Sequence, residues 1–169
     1  MTASLVVGLG RVDRGDDAIG PEVVRTLADR CGPNVEVLES DQPADLMDLW
    51  SDRALVVVVD AVRSGAPPGT IQVFHLGVDN ASPVPDGWRS SGQGGTHSLG
   101  IDDVVGLARV MGSLPSRLVL VCVEGSSFEH GATMSPAVAD AVEATVAEVV
   151  AELVSAAPDG VGSPLSPEE

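Results

Sequence analysis

Three aspartates, Asp13, Asp16 and Asp17, stand close together just after the glycine-broken apolar run Leu5-Val6-Val7-Gly8-Leu9-Gly10. A second apolar run, residues 54–59, stops at another acid, Asp60, and His97 follows the run Gly92-Gln93-Gly94-Gly95. Two carboxylates and one imidazole suit a divalent ion such as nickel, zinc or manganese, with positions left open for water or a substrate. An ion held this way lowers the pKa of a bound water and polarises a peptide carbonyl. The set expected to converge is Asp17, Asp60 and His97, with the glycines ahead of His97 letting its loop fold over the other two. Each residue has a plainer role when taken singly. An aspartate after a strand caps a turn, and a histidine ahead of a helix bonds to backbone. Asp13 and Asp16 are read as solvated or capping groups, His75 as structural and His130 as a loop residue.

Convergence needs elements that deliver these side chains to one place. Residues 4–9 form a short buried strand. Residues 21–31 have Val23, Val24 and Leu27 on one face and polar residues elsewhere, a helix opened by Pro21 and closed by Gly32-Pro33. A brief strand follows at 35–38, then a helix at 41–50 with Leu46, Leu49 and Trp50 as its apolar side. The most apolar segment, 54–59, reads as a central strand covered on both faces. A turn at 65–69 leads into a strand at 71–76, too soon for a helical crossover, so that strand is expected to run antiparallel to the one before it.

Residues 78–96 form a long polar loop, of a length that in a compact domain is usually tied to function. A helix at 98–111, capped by Ser98, a buried strand at 117–123, a loop at 124–135 and a last helix from Pro136 complete the order. This alternation predicts an α/β three-layer sandwich: a mostly parallel, twisted sheet of about five strands, one antiparallel, with helices on both faces. If the first and third strands are neighbours, their carboxyl ends form the crevice where such sheets take ligands. Asp17 and Asp60 would then sit side by side.

Bulk properties narrow the partners. A chain of 169 residues supports one domain, taken as 1–156, followed by a disordered Pro-, Gly-, Ser- and Glu-rich tail at 157–169. Its net charge of −16 repels nucleic acid and anionic membranes, so neither is expected as a partner. Two cysteines, Cys31 and Cys122, are too few for a disulfide framework or a thiolate metal site. The start, Met1-Thr2-Ala3-Ser4, has no basic or long apolar stretch, so a cytoplasmic, monomeric protein is the expectation. Gly8-Leu9-Gly10 is also similar to a dinucleotide-binding loop. The third glycine of that pattern would fall on Asp13, however, and the acids there repel phosphate.

Taken together the motifs resemble the hydrogenase maturation endopeptidases, the processing proteases of nickel–iron hydrogenase large subunits. The resemblance rests on Gly8-Leu9-Gly10-Arg11 with Asp16-Asp17-Ala18-Ile19-Gly20, on Asp60-Ala61 with Pro68-Gly69-Thr70, on Thr96-His97-Ser98-Leu99-Gly100, and on Glu129 with Met134-Ser135-Pro136. It spans residues 5 to about 154, in order and spacing. Arg11 departs from the family's Asn, and His130 and Thr133 replace the Pro and Gly of the late turn.

The resemblance implies a phosphorylase/hydrolase-like fold and an endopeptidase that removes the C-terminal extension of a large-subunit precursor. It also implies that Asp17, Asp60 and His97 meet nickel carried by that precursor, with zinc or another divalent ion able to substitute. A non-catalytic metal-binding assembly module for a hydrogenase-type partner is the alternative, and a nucleotide-binding protein a weaker one.

Overall fold

The structure, a computed structural model, describes residues 3–81 and 100–157. His97, Ser98, the Gly92–Gly95 run and all but the first residue of the expected tail lie outside the described residues. The strands are β1 (Ser4–Leu9), β2 (Val35–Ser40), β3 (Val56–Val62), β4 (Ile71–His75) and β5 (Leu118–Glu124). They form one sheet in the order β2-β1-β3-β5-β4, all parallel except β4. Every residue of β3 and β5 is buried, which is why these two read as unbroken Val and Leu runs rather than as alternation.

The period of two still sorts the side chains between two cores. Val6, Val57, Val59, Val121 and Val123 face α1 (Ile19–Ala28), α4 (Pro136–Asp140) and α5 (Val142–Ala156). Leu5, Val7, Val56, Val58 and Leu120 face α2 (Leu46–Leu49) and α3 (Ile101–Met111). The molecule is therefore the expected three-layer α/β sandwich.

Several expected boundaries move. The segment expected as a helix over 41–50 is a 3-10 turn, Pro43–Asp45, followed by the single turn of α2. Pro43 supplies a fixed φ but no N–H, which favours a tight start over a long helix. The last helix is interrupted at Ala141, whose carbonyl accepts both the amide and the hydroxyl of Thr145, at 2.9 and 2.7 Å. Such back-bonding bends a helix. Strand β4 runs against β3 as expected but pairs with β5, because β3 is already flanked by β1 and β5.

One packing detail fixes where the site is built. A Cβ on Gly8 would lie 2.9 Å from Val24 Cγ2, and a Cβ on Gly20 would lie 2.8 Å from both Leu9 N and Val59 O. Helix α1 thus starts in backbone contact with β1 and β3, an approach only glycine allows. The short turn Gly15–Ala18 that precedes it is pinned at the carboxyl rim of the sheet.

Candidate functional site

Strands β1 and β3 are parallel neighbours, with Val7 opposite Val58 and Gly8 opposite Val59. Their carboxyl ends open on one rim, and two carboxylates meet there. Asp17, in the 3-10 turn, is 3 % exposed. Its Oδ2 accepts a hydrogen bond from the backbone N–H of Arg11 at 2.8 Å. The chain can fold back this way because Gly10 takes φ +132°; a Cβ at that position would lie 3.2 Å from Asp17 Cγ. The N–H of Gly10 is bonded to the Ser40 carbonyl at 3.0 Å. The amides of Gly10 and Arg11, which a dinucleotide-binding loop would offer to a pyrophosphate, are both spoken for.

Asp60 is 6 % exposed and lies inside β3, which continues past it to Val62. The sequence hid this continuation, because an acid in the middle of a buried strand looks like the strand's end. Its flanking neighbours Val58 and Val62 face the α2–α3 side, and Cys122 stands opposite it on β5. Burial pushes the Asp60 carboxyl well above the usual carboxylate range, and the negative charge of Asp17 pushes it the same way. The Ala61 amide opposes this, while Asp102, in the first turn of α3, adds to the upward push. Two acids whose charges resist one another in a nearly dry crevice make a site that a cation would relieve. Among the described residues no three His, Cys, Asp or Glu side chains form a metal-sized cluster; the expected third member, His97, lies outside them.

Asp16, expected as a solvated or capping group, proves to cap the amides of a distant loop. It is not solvated: its exposure is 0 %. Its carboxylate accepts from the amides of Ser126, Ser127 and Ser135 at 2.7, 3.1 and 2.7 Å. The hydroxyls of Ser126 and Ser135 add bonds at 3.3 and 3.0 Å. Burial pushes its pKa up, but the backbone bonds from Ser126, Ser135 and Ser127 and the Ser135 hydroxyl outweigh burial and hold it below the usual value. The only signals were serines more than a hundred residues away. Asp13, in contrast, is exposed as expected and pairs with Arg11 at 3.2 Å.

An open groove of about 480 Å³ runs beside this rim, past Gly10, Arg11, Pro21 and Ser40. Two ion pairs border it, Arg11–Asp13 and Arg25–Glu39, the latter at 2.8 Å. The remaining expected residues fall where they were placed. His75 meets Glu152 of α5 at 3.2 Å, a link between edge strand and helix, and His130 is exposed in its loop. Cys31 is half-buried and Cys122 buried, and neither forms a disulfide among the described residues. No helix of the described residues is long and apolar enough to cross a membrane.

Comparison with known proteins bears on the family and the fold. A family model described as hydrogenase maturation protease matches residues 21–152. The hydrogenase expression/formation protein HupD of Rhodobacter capsulatus is 31 % identical over 153 residues, covering 88 % of this chain and 70 % of that one. The hydrogenase 2 maturation protease of Escherichia coli K12 is 29 % identical over 153 residues, 88 % of this chain and 89 % of its own. Among solved structures, the hydrogenase maturating endopeptidase HybD from E. coli superposes with a TM-score of 0.70 at 26 % identity, covering 90 % of this chain and 92 % of that one.

Proposed function

This chain belongs to the hydrogenase maturation protease family, and from that premise we propose how its own residues serve the reaction. The protein is an endopeptidase that processes a hydrogenase large subunit. In the proposed reaction its substrate is a precursor already loaded with nickel, and the cut removes a C-terminal extension. Asp17, Asp60 and His97 recognise the precursor's metal, for which zinc or another divalent ion could stand in. The metal supplies polarisation of the scissile carbonyl and a more acidic water. Asp17 or Asp60 would accept a proton from the attacking water and pass it to the departing amide nitrogen as the C–N bond breaks. The Arg11 amide holds one oxygen of Asp17 throughout.

The observation that carries this reading is Asp60: a nearly dry carboxyl that both burial and Asp17 keep from ionising, and that a cation in the crevice would relieve. Support for His97 is that it stands four residues before α3 in the sequence, and that Asp102 in the first turn of α3 is near enough to act on Asp60. In this reading the working form is a cytoplasmic monomer, whose net charge of −16 makes its copies repel one another.

Incubation with a purified nickel-loaded precursor, followed by mass spectrometry of the precursor's C-terminus, tests the proposal. Asp60→Ala and His97→Ala should each lower the cleavage rate by about 100-fold or more, and metal-free precursor should stay intact. Normal cleavage by either variant would remove that residue from the site.

A further inference from the structure

Asp16 and Asp17 are adjacent, yet they serve different neighbours. Side chains one residue apart in a 3-10 turn diverge by about 120°, and here they leave Gly15–Ala18 on separate sides. Asp17 turns back to the Arg11 amide. Asp16 enters the loop at 125–135, where five donors converge on it. The main chains of the two loops are also joined directly. The Asp16 amide donates to Ser127 O at 2.7 Å, the Gly15 amide to Ala132 O at 3.1 Å and the Gly131 amide to Asp13 O at 2.7 Å. Arg14 Nε donates to Phe128 O at 2.9 Å. Contact is so close that a Cβ on Gly15, at φ +59°, would lie 3.0 Å from Ser127 C.

Main-chain bonds of this number would already dock one loop on another. A fully buried carboxylate with five donors does more, since charge-assisted bonds from several directions leave its residue one orientation. We propose that Asp16 is a positioning residue: it locks the turn against the 125–135 loop and so fixes the direction in which the next residue, Asp17, presents its carboxylate to Asp60. The inference rests on the reading of Asp17 and Asp60 as site residues. Misplacement of a reacting group by about 1 Å costs on the order of 100-fold in rate, so a loosened turn is read in turnover.

The test uses the full chain and a nickel-loaded precursor, with kcat and KM measured separately for Asp16→Asn. Asparagine keeps the shape but aims an NH2 group at donors. The expected result, at a temperature where circular dichroism shows the variant folded, is a fall in kcat of about tenfold or more with a smaller change in KM. A smaller fall in kcat, or a larger change in KM than in kcat, overturns the inference and leaves Asp16 as a tie between loops. Should Asp16→Asn not fold, the double variant Ser126→Ala with Ser135→Ala decides, because it removes only the two hydroxyl bonds. There the dividing line is a fall in kcat of about threefold. Asp60→Ala, run in parallel, separates the two levels. If it cleaves normally, the reading of the site fails; if it is inactive while Asp16→Asn cleaves like wild type, the positioning role alone fails.

Discussion

Ionised Asp60 is a carboxylate with almost no water around it and a second carboxylate, Asp17, acting on it. Its pKa is raised in the folded chain, so its contribution to stability is fully present below the unfolded value of about 3.9 and is lost as pH rises through the folded value. Asp60→Asn removes that loss. In metal-free protein the variant should melt above wild type at pH 7–8, by about 2–4 °C for each kcal/mol recovered, and the difference should vanish near pH 3–4. Scanning calorimetry across that range checks this, and a lower melting temperature at neutral pH would contradict it. Asp16 has the opposite sign: its pKa is lowered, so its stabilisation is present above about 3.9 and is lost as pH falls through the folded value. Two buried acids in one chain thus pull stability in opposite directions with pH.

The element that decides the geometry is the start of α1, seated on β1 and β3 through Gly8 and Gly20. Gly20→Ala puts a Cβ 2.8 Å from two backbone atoms that cannot move independently. The expected cost is about 1–3 kcal/mol of overpacking, measured as a shift in the urea midpoint, together with slower precursor cleavage because the Asp17 turn shifts with the helix. Cleavage at the wild-type rate in a folded Gly20→Ala would show that the turn does not depend on the seat. At this scale much was legible in the chain. β1 falls on residues 4–9 as read, since the apolar run of leucines and valines stops at Gly10. The pairing of β1 with β3 was legible too, because two apolar runs that each stop at an acid in the sequence suit parallel neighbours in one sheet. Less could be read where polar and apolar signals collide. β3 hides its last residues behind Asp60, and the helix expected over 41–50 shrinks behind Pro43. In Asp16-Asp17 two identical side chains sit in a row, and only the distant serines tell which one faces the crevice.

The net charge of −16 is opposed by few cations, and among the described residues Arg11, Arg25, Arg30 and Arg53 stand in ion pairs, as in Arg25–Glu39 and Arg30–Glu143. Such pairs contribute little individually, so the long-range repulsion among the remaining acids opposes the compact state. Raising sodium chloride from about 0.02 to 0.5 M shortens the screening length to a few ångströms, and the melting temperature should rise by several degrees. A fall over that range would mean that the local ion pairs outweigh the repulsion. The bonds from residue 16 to residues 126, 127 and 135 cross 110, 111 and 119 positions of sequence. Contacts of that span form late, because the intervening chain must first be organised. A nascent polypeptide still short of Ser135 holds the acidic turn without its far partners, so Asp16 gains its full set of bonds only once residue 135 has been made. Synthesis itself thereby orders the assembly, with every described strand made before that tie can close.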